Sequence, residues 1–192
     1  PAADVTHQPE RLIDIISQNY EEQSELGEFK YNIIRLPSQW YYKDLEEELA
    51  SLDMDIAFIN HHTATSKCSK DADFNNYLRE APGKMTVIWV YNSLRAGKQL
   101  NTEHIGFVHD TATSAPDTIA QSLLGRIMSY GKRAHNVICY TDVPAARLML
   151  GWVQKLFDPA WIPKGSRNIR NGYSDREYTW NNHPDRKSTR LN

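Results

Sequence analysis

The chain of 192 residues predicts an α/β fold, a doubly wound and mostly parallel sheet with helices on both faces. Two observations predict it: short runs rich in β-branched and aromatic residues recur along the chain, and segments with helical spacing separate them. The runs are continuous rather than alternating, which suits strands covered on both faces. Strand–helix alternation then calls for parallel neighbours joined by right-handed crossovers, with function gathered at the carboxyl ends of the strands.

Taken in order, residues 11–20 read as a helix leading into the first strand, 31–36 (YNIIRL). Ser38 is placed to cap a helix from 39 to about 52, with Trp40, Leu45 and Leu49 on one side and Glu46, Glu47 and Glu48 solvated. A strand over 55–60 (DIAFIN), a short helix over 72–79 and strands over 85–91 (MTVIWVY) and 104–108 (HIGFV) follow. Thr113 or Ser114, then Pro116 and Asp117, make a helix start, and Ile119, Leu123, Ile127 and Tyr130 trace an apolar stripe that Gly131 ends. The last strand is 136–140 (NVICY), and Pro144 opens a helix through Leu148, Trp152 and Leu156. Beyond about Phe157 the periodicity stops, and Pro159, Pro163, Gly165 and Gly172 mark a loop-rich extension over 158–184. The expected division is a helical lead-in over 1–29, an α/β domain over 30–157, and that extension.

Residues 185–192, DRKSTRLN, match the translation of a widely used sequencing adapter and are set aside from the fold. The start at Pro1 rather than Met and this tail together lead to the expectation of a fragment cut at both ends, from a phage or an environmental sequence read. Removing three basic residues and Asp185 lowers Lys+Arg from 22 to 19 and Asp+Glu from 24 to 23, so the net charge moves from −2 to −4. Such a balance excludes nucleic-acid binding by bulk charge and leaves the task to local clusters. Cys68 and Cys139 stand far apart, with neither a disulfide framework nor metal-ligand spacing. No apolar run approaches the roughly 20 residues that span a bilayer, so cytoplasm is expected, or host cytoplasm for a viral source.

Three loops follow the predicted strands: HHTATSK, NSLRAGKQLN and HDTATSAPDT. Their hydroxyl, amide and basic groups match the chemistry of nucleic-acid backbone contacts, which assigns His62, Thr63, Thr65, Ser66, Arg95, Lys98 and Thr111 to that task. Ser, Thr and Asn are equally the ordinary residues of loops. The His61-His62 pair has no further ligand at metal spacing, so no metal site is expected. Ala96-Gly97-Lys98 is not a phosphate loop of the GxxxxGK type, because Asn92 stands where the first Gly belongs and Gln99 replaces the Ser or Thr that holds magnesium.

The stretch QSLLGRIMSYGKR, 121–133, sets Gly125 and Arg126 inside an otherwise apolar helix. A mid-helix Gly costs about 1 kcal/mol relative to Ala, and here it clears space beside an arginine. Arg126 falls off the stripe, with Ser122 and Ser129 as neighbours, on a hydroxyl-lined face suited to a phosphate.

Together, YNIIRLPS, TVIWVYNSLRAGKQLNTEHIGFVHDT and DTIAQSLLGRIMSYGK resemble the second RecA-like domain of superfamily 2 helicases over roughly 30–157. The last segment resembles that family's arginine-finger helix, QxxGRxxR. The resemblance implies a preceding RecA-like domain that holds most of the ATP and its magnesium, with ATP between the two domains. It gives Arg126 the arginine-finger role and places Gln121, Ser122, Gly125, Gly97 and Arg133 around the nucleotide, with nucleic acid, DNA rather than RNA, as the partner. Two positions depart from the pattern: Ser122 stands where the family has Gln or His, and Ser129 where it has a second arginine, with Lys132 and Arg133 just beyond. Two other readings stand beside this one, the motor of an ATP-dependent restriction or phage endonuclease and a non-catalytic α/β binding domain.

Overall fold

The computed structural model describes residues 8–36, 41–62, 71–91, 100–110, 116, 119, 123–127, 137–164 and 166. Along them run α1 (Pro9–Leu26), β1 (Tyr31–Arg35), α2 (Tyr41–Ser51), β2 (Ala57–His62), α3 (Asp71–Tyr77), β3 (Thr86–Tyr91), β4 (Ile105–Asp110), α4 (Leu123–Ile127), β5 (Ile138–Tyr140) and α5 (Val143–Gln154). A 3-10 turn, Pro159–Trp161, follows α5. Among the described residues the five strands form one sheet in the order β2-β3-β1-β4-β5, every pairing parallel. This is the α/β architecture that the sequence predicts.

The continuous apolar runs are explained by two cores, one on each face. Leu12 and Ile16 of α1 and Leu45 and Leu49 of α2 pack with Ile34, Val87, Trp89 and Phe107. On the opposite face Phe74 and Leu78, from α3 and its end, and Leu123 of α4 pack with Tyr31, Ile33, Ile88, Val90, Ile105 and Val108. Ile33, Ile34, Val87 and Ile88 are fully buried. Burying each such side chain contributes about 1.5–3 kcal/mol, so the central strands carry much of the stability. Helix α1 is longer than the expected 11–20 and contributes Leu12 and Ile16 to the core itself; Gly27, at φ 64°, ends it.

Two details of side-chain placement differ from the sequence reading. Glu46 is half-buried rather than solvated, because its carboxylate accepts a 2.7 Å hydrogen bond from the indole of Trp89, which the core covers. Burial raises the Glu46 carboxyl above its ordinary range, and the indole bond opposes that shift. In α5 the buried positions are Ala145 and Met149, while Leu148 and Leu156 of the expected stripe are 51% and 88% exposed. The helix is apolar around most of its circumference, so periodicity could not choose the inward side. Ser38, Trp40, Thr113, Ser114, Asp117, Tyr130 and Gly131 lie outside the described residues, as do the 185–192 tail and most of the extension.

One irregularity sets the geometry of the sheet. Tyr31 pairs with Ile105 but Ile33 pairs with Val108, so β4 carries one extra residue opposite Asn32. Asn32 is fully buried, and its Oδ1 accepts from the Phe107 N–H at 3.3 Å and from Gln23 Nε2 at 3.4 Å. Its Nδ2 donates to the Lys30 carbonyl at 3.2 Å, while the Gln23 Oε1 accepts from the Lys30 N–H at 2.8 Å. Side chains thus satisfy groups beside the bulge and fasten α1 to the sheet. The bulge also needs Gly106, since a Cβ there would lie 2.6 Å from Asn32 Oδ1 and 3.1 Å from Gln23 Nε2.

Gly106→Ala is therefore expected to lower the free energy of unfolding by about 1–3 kcal/mol. Combined with Asn32→Ala it should cost less than the two single losses added together, because the clashing amide is then gone. Urea denaturation of the three variants measures both, and wild-type stability in Gly106→Ala would refute the close approach.

Candidate functional site at the carboxyl edge

The helices divide between the faces according to the direction in which each connection leaves the sheet. The segment after β1 leads to α2 on one face, and the segment after β4 leads to α4 on the other. β1 and β4 are neighbours, so their carboxyl ends flank the topological switch point, where open α/β sheets place ligands.

Two charged residues stand at that point in register, Arg35 at the end of β1 and Asp110 at the end of β4. The Arg35 Nε lies 3.5 Å from Asp110 Oδ1. The other carboxylate oxygen, Oδ2, accepts from the Leu123 N–H at 3.1 Å and so fastens to α4. Three residues on, the Arg126 carbonyl accepts from the Leu100 N–H at 2.9 Å, which ties the β3–β4 connection to this helix. Asp110 is 1% exposed and Arg126 3% exposed.

Arg126 is buried rather than standing on an open face; the Leu100 N–H donates to its carbonyl, and the Leu100 side chain joins the same core as Leu123. Gly125 beside it is half-buried, and Ile119 and Leu123 of the expected stripe are fully buried. His62 ends β2 at this same edge of the sheet. Its neighbour His61 is buried, with its ring centroid 4.5 Å from that of Phe74. Thr63, Thr65 and Ser66, the loop residues Arg95, Gly97 and Lys98, and Thr111, Gln121, Ser122 and Arg133 lie outside the described residues.

Arg35, His109 and Asp110 were not read from the sequence as site residues. The available signal was the close of β4, IGFVHD, where two polar residues end an apolar strand without leaving the core. His109 is fully buried, and burial pushes its pKa down to about 4 against the opposing pull of Asp110, so the imidazole is neutral near pH 7. Its ring lies 6.2 Å from that of Tyr140. Burial likewise lifts the Cys139 thiol to about 12, which leaves it inert as a nucleophile.

Chemically the edge offers guanidinium groups, suited to phosphate oxygens. The carboxylate of Asp110 is already engaged by Arg35 and by the Leu123 N–H. Among the described residues no group of three or more His, Cys, Asp and Glu could hold a metal ion, and no helix is long and apolar enough to cross a membrane.

No protein-family model matches the sequence. An uncharacterised protein of Acanthamoeba polyphaga mimivirus is 33% identical over 101 residues, which is 52% of this chain and 26% of that protein. The chain therefore spans about a quarter of the length of the curated relative that it matches. Among solved structures it is similar to the C-terminal domain of the DEAD-box protein Dbp5, at 15% identity and a TM-score of 0.38, covering 74% of this chain and 79% of that one. A variant of the S. cerevisiae Dbp5 C-terminal domain bound to a Gle1 variant and IP6 gives 18% identity and a TM-score of 0.37, covering 73% and 79%. The fold assignment rests on the strand order and the two cores rather than on these likenesses.

His109 makes stability depend on pH. Its folded pKa of about 4 lies below the ordinary 6.5, so the unfolded chain binds the proton more readily between these values. Stability is fully present above pH 6.5 and falls as the pH drops toward 4, by at most about 3 kcal/mol from this group. His109→Gln should narrow its stability deficit against the parent as the pH falls through that window, measured by urea denaturation. A deficit that does not change with pH would show that the buried imidazole plays no such part.

Proposed function

We propose that the chain is the C-terminal motor domain of an ATP-dependent nucleic-acid helicase or translocase, with Arg126 as its arginine finger. One observation carries this reading: Arg126 sits on a helix fastened at the switch point of a parallel sheet, between the Asp110 carboxylate and the Leu100 N–H. The sequence around it, QSLLGR, supports the assignment, and so does the absence of a GxxxxGK phosphate loop from the chain.

ATP and magnesium then bind mainly to a preceding RecA-like domain, and this chain contributes around the nucleotide through Gly97, Gln121, Ser122, Gly125 and Arg133. Arg126 turns outward from its buried position to meet the γ-phosphate and offset the charge that develops on it. His62, Thr63, Thr65 and Ser66 after β2, Arg95 and Lys98 after β3, and Thr111 after β4 contact the nucleic-acid backbone, DNA by preference, in the cytoplasm of a cell or host. The burial of Arg126, 3% exposed, favours a second reading in which the domain binds without catalysing and the arginine is structural.

Arg126→Ala in the full-length protein is expected to reduce nucleic-acid-stimulated ATP hydrolysis by about a hundredfold or more, with the Kd for nucleotide changed by less than about threefold. Steady-state turnover and nucleotide titration measure the two, and unimpaired turnover would sink the arginine-finger assignment and leave Arg126 structural. Purified residues 1–184 alone are expected to hydrolyse no ATP, and measurable hydrolysis would contradict a nucleotide site shared between two domains.

A further inference from the structure

We infer that Asp110 is the positioning residue of Arg126, an inference that rests on the motor reading and deepens it. A carboxylate that is 1% exposed is costly to bury and persists only where its oxygens are compensated. Here Oδ1 faces Arg35 from β1 at 3.5 Å, and Oδ2 accepts from the Leu123 N–H at 3.1 Å. One side chain therefore joins the two strands at the switch point to α4.

Arg126 lies three residues beyond Leu123, within one helical turn, so a displacement at Leu123 carries the arginine with it. The Leu100 N–H fixes the other side by donating to the Arg126 carbonyl at 2.9 Å. With the backbone held at Leu123 and at its own carbonyl, Arg126 has a fixed base from which to reach. Reactive groups gain rate when their placement is settled before the reaction. Asp110 therefore governs how often the guanidinium arrives where it is needed, and acts on turnover rather than on ground-state affinity. Its charge matters for Arg35, whereas an uncharged oxygen is enough to hold Leu123.

The test uses the full-length protein with ATP and a single-stranded DNA oligonucleotide. Asp110→Asn keeps an oxygen to accept from the Leu123 N–H but loses the charge facing Arg35; Asp110→Ala loses both. Turnover is expected to fall about tenfold in Asp110→Asn and about a hundredfold in Asp110→Ala, with KM for ATP changed by less than about twofold. A residue with a merely structural role would lower melting temperature without this separation of kcat from KM. If Asp110→Ala does not fold, Asp110→Asn decides alone. A kcat within about twofold of the parent, or a raised KM with kcat intact, overturns the positioning role provided that Arg126→Ala is inactive. Full activity in Arg126→Ala instead overturns the arginine-finger assignment, and with it the role that Asp110 would serve.

Discussion

The extra residue in β4 opposite Asn32 is the constraint on which the rest of the carboxyl edge depends. A regular ladder continued from Tyr31 and Ile105 would bring Arg35 opposite His109. The bulge brings it opposite Asp110 instead. It also explains how Ile105 and Val108, an odd number of residues apart, share one core while Phe107 belongs to the other. The Asn32 amide makes this arrangement affordable by accepting from the Phe107 N–H and holding Gln23 of α1 at the same time. A polar contact near the amino end of the sheet thus decides which charge faces which at the opposite end.

The edge it creates is electrostatically closed. Arg35, Asp110 and Leu123 form a chain of contacts from β1 through β4 into α4, and His109 beside them is kept uncharged by burial. An arginine held in such surroundings has its backbone fixed and its charge sheltered from water, which is the kind of preorganisation that phosphoryl chemistry rewards. The same surroundings would also suit an arginine that only braces the fold. Composition does not separate the two, and chemistry in the assembled protein does.

Much of the architecture was legible in the sequence because continuous apolar runs such as TVIWVY leave few alternatives to a covered strand. β2 begins two residues later than its apolar content suggests, since the first ladder contact is made by the Ala57 N–H to the Met85 carbonyl. The bulge was not legible: Asn32 reads as one polar residue in an apolar run, and Gly106 as an ordinary weak point in a strand, until Gln23 brings them together. Nor was the inward face of α5, where apolar residues surround the helix. Within the candidate site, Arg126 was found from its neighbours in sequence, but its carbonyl is held by the Leu100 N–H from 26 residues earlier, and Asp110 gained significance only through contacts with Arg35 and Leu123.

Loss of one codon at Gly106 would restore an unbroken ladder between β1 and β4 without shortening any loop. Arg35 would still face Asp110, because Phe107 would fall opposite Asn32 and Val108 would stay opposite Ile33. The two cores would likewise keep their β4 side chains, since Ile105, Phe107 and Val108 would then alternate as an ordinary strand does. Such a deletion would remove the extra residue alone, so the charge that faces Arg35 is inherited with the residues after Gly106 and not with the length of the strand.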